Sequence, residues 1–222
     1  MNEHLAPPDE ALRGTPIYRS VLAGCEGRAH FTPAGGRVPV RIPLAVDNIW
    51  EWLRPAHYPS RRFSAFGSPT PGLAMESGPA DGIICRVLIS PPASIAQLRS
   101  VRDARHHPDV KSLPFLLAEY EQSGAASISA LHSRLLERAE TGELLGQDPR
   151  LLVSVQQASR YWPDSRLWDS LSPAVIDPAG EIMFTAPHGY FLEPLGGTLR
   201  PVSSSRAESQ VHMRTRATGS KS

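Results

Sequence analysis

Gly180-Glu181-Ile182-Met183-Phe184-Thr185-Ala186-Pro187-His188-Gly189-Tyr190-Phe191-Leu192-Glu193-Pro194 is the stretch around which the chain is organised. Two apolar runs, Ile182 to Phe184 and Tyr190 to Leu192, flank a Pro-His-Gly turn, the punctuation of a hairpin or strand pair. Glu181 stands at the mouth of the first run. It is either a solvated strand-end charge or an acid whose position the sheet fixes. Only partners from elsewhere in the chain can separate these readings.

Working backwards, Asp148-Pro149 reads as a helix cap and first position, followed by the apolar stripe Leu151, Leu152, Val155 and Ala158. Tyr161-Trp162-Pro163 ends it, and Trp168, Leu171, Val175 and Ile176 return the chain to the sheet. The whole stretch from Leu113 to Trp162 has helical character, with Ile128, Leu131, Leu135 and Ala139 on one face and Gly142 as a stop. Before it, Gly82 to Ser90 is the clearest buried strand, closed by Pro91-Pro92. Ile95, Leu98 and Val101 suggest a helix over 93–105. His106-His107 then reads as a solvated helix end, because adjacent histidines diverge and no Cys or carboxylate cluster joins them; no metal site is expected.

In the first third, Thr15 to Leu22 is the first strand, with Arg19 embedded in it, and Gly24 to Gly27 ends it. A loop or short strand runs through Gly35-Gly36 and Val38 to Ile42. Val46, Ile49, Trp50 and Leu53 recur on one helical face, with Asp47 near the start and Pro55 at the end. Ser60 to Ser68 alternates as a strand and leads through Pro69-Thr70-Pro71 into a helix carrying Leu73, Ala74 and Met75. The free N–H groups of that helix suit an anionic ligand, but a simple cap by Ser68 or Thr70 explains the same residues without one.

Composition bounds the function. The 222 residues suffice for one filled core with a tail, and 22 prolines with 17 glycines imply many short elements. Lys and Arg number 23 against 22 Asp and Glu, so no global field favours nucleic acid or an anionic membrane. Cys25 and Cys85 lack metal-ligand spacing and read as reduced thiols. No apolar run approaches a membrane span, and the N-terminal residues have no secretory pattern, so a cytoplasmic location or delivery by a signal-independent route is expected. The expected organisation is a flexible lead-in over 1–14, a single catalytic domain over 15–199, and a disordered basic tail over 200–222. There is no Walker loop, no dinucleotide Gly-x-Gly-x-x-Gly, no Gly-x-Ser-x-Gly elbow and no His-Glu-x-x-His.

What remains is an order of parts: Tyr18-Arg19 on the first strand, the block Arg61-Arg62-Phe63-Ser64-Ala65-Phe66-Gly67-Ser68-Pro69-Thr70-Pro71, a helical stretch, and Gly180-Glu181-Ile182-Met183-Phe184. In that order the chain resembles the ADP-ribosyltransferase superfamily, in its Arg-Ser-Glu branch, over roughly residues 15 to 195. The resemblance implies an α+β fold, a split sheet of short strands around an NAD+ cleft with a helical insertion. It also implies a toxin- or effector-like enzyme that cleaves NAD+ and transfers ADP-ribose to a macromolecule, a protein ahead of a nucleic acid, with no membrane partner. An activating or neutralising protein could accompany it. Arg19 would hold the pyrophosphate or nicotinamide ribose, and Ser64, or failing it Ser68, would brace the serine strand and the acid. Glu181 would hydrogen-bond the ribose hydroxyl beside the reacting carbon and stabilise the positive charge that builds there. Tyr18, Phe63, Phe66 or Tyr190 could stack on nicotinamide.

The sequence departs from the arginine-modifying pattern at Ala179, two positions before Glu181, where many such members carry a second Glu, and Ser64-Ala65-Phe66 stands where a Ser-Thr-Ser would. An NAD+ glycohydrolase and a catalytically inactive binding module on the same fold are the alternatives.

Overall fold

The computed structural model describes residues 16–29, 36–122, 145, 148–168 and 177–196. The fold is mixed α+β, with two antiparallel four-stranded sheets and four helices among the described residues. In chain order these are β1 (Tyr18–Val21), β2 (Gly27–Ala29), α1 (Leu44–Leu53), β3 (Ala65–Gly67), α2 (Pro71–Ser77), β4 (Ile83–Ile89), β5 (Ser94–Leu98), α3 (Asp109–Gln122), α4 (Pro149–Ala158), β6 (Ser165–Leu167), β7 (Ile182–Thr185) and β8 (Tyr190–Pro194). The first sheet runs β1-β4-β8-β2 and the second β3-β7-β5-β6.

Why Ile182-Met183-Phe184 is apolar without alternation follows from the layering. Ile182 and Phe184 pack with Ile17, Ala65, Cys85, Val87, Ile89, Ile95, Tyr190 and Leu192 in a core between the two sheets. Met183 faces the other way, into a core with Trp50, Ala96, Leu98, Leu113, Leu117, Leu151, Val155, Tyr161 and Trp162 from the helical side. The second sheet is thus the middle of three layers, and a strand covered on both faces buries successive residues.

The Pro-His-Gly turn is correctly placed but joins different partners from those expected. Gly189 takes a φ of 83° and its N–H donates to the Ala186 carbonyl at 2.8 Å. However, β7 pairs with β3 and β5, whereas β8 pairs with β4 and β2. The turn therefore passes the chain from one sheet to the other. Both runs are hydrophobic enough for a hairpin; the inter-sheet core decides otherwise.

The Gly82–Ser90 strand, the Trp50 helix and the helix after Asp148 stand where the sequence places them. Thr70 caps α2 by accepting from the Leu73 N–H at 3.2 Å, so Ser68 is left for other work. Ser60 to Ser68 is strand only over β3, because Arg61–Phe63 forms a 3-10 turn first. The helix expected over 93–105 is instead β5, paired with β7 and β6, followed by a 3-10 turn at Ala104–His106. Its Ile95, Ala96, Gln97 and Leu98 are all buried, and a doubly covered strand can mimic helical spacing. The residues 38–42 are loop. The expected lead-in, basic tail, the helical face at Ile128 to Ala139 and the Leu171 to Ile176 return lie outside the described residues.

Candidate active site

The site forms where the two sheets meet. The N–H of Tyr18 donates to the Ser68 carbonyl and the N–H of Ser68 to that of Tyr18, both at 2.8 Å. From this bridge β1 continues in the first sheet, opposite β4, while β3 belongs to the second. Gly67 allows the crossing, since a Cβ there would press on the Ile17 side chain. A cavity of about 200 Å³ opens at this seam, lined by Tyr18, Arg19, Phe66, Ser68 and Glu181 among others. Three segments separated by up to 163 positions of sequence thus contribute to one surface.

Glu181 is held by backbone on both sides. Its N–H donates to the Val101 carbonyl at 2.8 Å, and its own carbonyl accepts from Leu98 N–H at 2.9 Å. The turn before it is clamped by buried Gln97, which donates to the Asp177 and Gly180 carbonyls at 2.6 and 3.1 Å and accepts from Asp177 N–H at 2.9 Å. Gly180 is needed because a Cβ would strike the Leu98 carbonyl oxygen. The Glu181 carboxylate accepts from Ala104 N–H at 3.2 Å and lies 3.5 Å from the Arg61 guanidinium, with its side chain 15% exposed. Burial pushes its pKa up; Arg61 opposes the shift and Asp103 adds to it.

Arg61, the cation nearest Glu181, is a residue to which the sequence assigns no role. It is buried, lies over the Trp50, Phe66 and Tyr161 rings, and donates to the Tyr161 hydroxyl. Its Nε approaches Asp47 only to 3.9 Å. Arg62 beside it donates to Asp47 at 3.0 Å and to Asn48. The signal was available as two adjacent arginines in a segment otherwise suited to burial. Asp47, expected near a helix start, is buried as their counter-charge.

Arg19 donates to the Tyr190 hydroxyl and lies 5.7 Å from that ring's centre. Tyr190 itself packs edge-on against Phe184. Ser64 goes elsewhere: fully buried, it donates to the Ser60 carbonyl at 2.5 Å, closing the 3-10 turn, and lines neither cavity described here. Its place at the cavity is taken by Ser68. Phe63 is 45% exposed and lines neither cavity.

A larger cavity of about 460 Å³ adjoins the first, with Phe66, Asp103 and Glu181 in the wall they share. Its remaining lining comes mainly from the segment Arg37 to Ile42, with Asp47, Arg61 and Arg105. Arg37 lies over the Phe66 ring at 4.2 Å. Together the two spaces fall within the range of small-molecule sites.

The expected solvated His106-His107 pair divides. His106 is exposed, whereas His107 is 1% exposed, edge-on to Trp50 and Tyr161. Asp109 N–H donates to its Nδ1 at 3.2 Å, which places the ring proton on Nε2, 3.5 Å from Asp164. Burial pulls its pKa down. Asp109 accepts from the Trp50 indole, the Ser159 hydroxyl and the Arg160 and Tyr161 N–H groups, tying α1, α3 and the end of α4 together behind the site. Among the described residues no group of His, Cys, Asp and Glu could hold a metal, and no helix is long and apolar enough to cross a membrane. Compared with known proteins, the chain matches no family model, no curated protein and no solved structure.

Proposed function

We propose that the chain is an NAD+-cleaving ADP-ribosyltransferase, with Glu181 as the acid that stabilises the reacting ribose. The observation that carries this reading is the convergence of Tyr18, Arg19, Phe66, Ser68 and Glu181 on one cavity. The aromatic rings of Tyr18 and Phe66 suit a nicotinamide, and the Arg19 guanidinium suits a phosphate or ribose oxygen.

In the reaction, the bond between the ribose anomeric carbon and the nicotinamide nitrogen breaks. Its electron pair stays on that nitrogen, so nicotinamide leaves neutral and positive charge spreads over the ribose. The Glu181 carboxylate accepts a hydrogen bond from the neighbouring ribose hydroxyl and stabilises that charge. A nucleophile on the acceptor then bonds to the anomeric carbon and loses its proton. The largely buried setting of the Glu181 side chain raises the value of this stabilisation, because a fixed charge in a poorly solvated position is screened weakly. Arg61, facing it at 3.5 Å, favours the ionised form of the acid against the effect of burial. Incubation with NAD+ and measurement of free nicotinamide tests the reading: wild type should release it, Glu181→Gln should not, and equal release from both would reject it.

A further inference from the structure

The larger cavity has a lining with a net positive charge. Four arginines line it, Arg37, Arg41, Arg61 and Arg105, against three carboxylates, Asp47, Asp103 and Glu181. Each carboxylate has its own cation: Asp47 has Arg62 at 3.0 Å, Asp103 has Arg105 at 3.1 Å, and Glu181 has Arg61 at 3.5 Å. That pairing leaves Arg37 and Arg41. Neither guanidinium has a hydrogen bond or ion pair among the described residues. Both side chains reach solvent at the cavity mouth; Arg37 lies over the Phe66 ring at 4.2 Å, and its pKa is lowered by desolvation and the like charge of Arg61, against the opposing pull of Glu181 and Asp47.

Two further features point to a ligand. The Arg61 Nε is buried without a hydrogen-bond partner, in a side chain 7% exposed that lines this space. Arg41 adopts a φ of 61°, a conformation that costs energy for a side chain with a Cβ, and strain of this kind gathers at ligand clamps.

We propose that the larger cavity is an oxyanion site that holds a phosphate group, gripped by Arg37 and Arg41 and bordered by Arg61. Guanidinium groups present paired donors that match phosphate oxygens, and two of them here make no ion pair among the described residues. A carboxylate ligand is a poorer fit, since one negative charge would meet two arginines and still face Glu181. The phosphate can belong to the dinucleotide itself, reaching past Glu181, or to a second molecule that accepts the ADP-ribose.

The test is calorimetric titration of the full chain with inorganic pyrophosphate. Wild type should bind, and Arg37→Gln and Arg41→Gln should each weaken binding about tenfold, the scale of one charge-assisted hydrogen bond. Arg37→Lys should recover part of the loss, because charge returns without the paired donors. Glu181→Gln should tighten binding, because a neighbouring negative charge is removed. Arg166→Gln, on the exposed face of β6, is the control and should change nothing. Unchanged affinity in the Arg37 and Arg41 variants, or an equal loss in the Arg166 variant, overturns the proposal. With pyrophosphate present, competitive NAD+ binding assigns the site to the dinucleotide, and simultaneous binding assigns it to a second substrate; both support an oxyanion site. Failure of NAD+ to bind while pyrophosphate binding still depends on Arg37 would reject the transferase reading and leave this one standing.

Discussion

Replacing Glu181 by Gln separates a catalytic acid from a structural ion-pair partner, because the two roles predict opposite effects on stability. At 3.5 Å from Arg61, and with an effective dielectric of about 20, the attraction is about 5 kcal/mol. Taking the Glu181 carboxylate out of water costs several kcal/mol, and that cost alone is relieved by a neutral side chain. The pKa of Glu181 is raised, with burial as the largest cause and the Arg61 attraction smaller, so the folded chain holds this charge at a net cost. A neutral isostere of the same shape removes that cost. The amide oxygen can still accept from Ala104 N–H, and Arg61 keeps Tyr161 and Asp47.

Glu181→Gln should therefore fold with stability equal to or above wild type, within about 1 kcal/mol, or about 2–4 °C in Tm for a chain of this size. Nicotinamide release should fall about 100- to 1,000-fold, the usual effect of removing one preorganised electrostatic group from a transition state. Thermal unfolding and nicotinamide release measured on the same preparation decide the matter. A stable variant with undiminished release refutes the catalytic role. A loss of about 3–5 kcal/mol would instead mark Glu181 as the buried partner that Arg61 needs for folding.

Other consequences follow from the same network. Because Glu181 must be ionised and its pKa is raised, nicotinamide release should decline with falling pH at a higher pH than an ordinary carboxylate near 4.3 would give. Arg61→Gln removes the favourable charge and should move that acid limb further up while costing about 3–5 kcal/mol of stability; an unmoved limb in the folded variant would contradict the pairing. His107, buried and neutral with a lowered pKa, binds a proton more readily once unfolded. Its contribution to stability is thus complete above the unfolded value near 6.5 and is lost as pH falls towards the folded one, a dependence that His107→Gln should flatten in denaturant titrations. Cys85 is fully buried and burial raises its pKa to about 11, whereas Cys25 is exposed, so a thiol reagent should modify one cysteine in the native chain and two after unfolding.

The parts of the site that were legible in the sequence were those set by local chemistry. Glu181 stood out because a carboxylate before three apolar residues is unusual, and Arg19 because it interrupts a strand pattern. Ser64 and Ser68 were indistinguishable by type. Their separation comes from the 3-10 turn, which directs the Ser64 hydroxyl back to Ser60 and leaves Ser68 at the seam. Arg61 was hidden for the same reason: an arginine in a short loop reads as solvated until a helix supplies Asp47 and a distant segment supplies Tyr161. His107 looked exposed because adjacent histidines diverge and no Cys or carboxylate cluster joins them in sequence, yet Trp50 and Tyr161 close around one of them.

By itself the sequence determined the strand Ile83–Ile89, a helix cap at Ser68 or Thr70, the cap at Asp148, and the turn at Gly189. All of these depend on residues a few positions apart, where sterics and hydrogen bonding act without help from the rest of the chain. Tertiary structure alone decided that β7 and β8 enter different sheets, that residues 94–98 form a central strand, and that Arg61 rather than Arg19 faces Glu181. Those outcomes rest on burying two faces of one sheet at once, a demand that no local stretch of sequence contains.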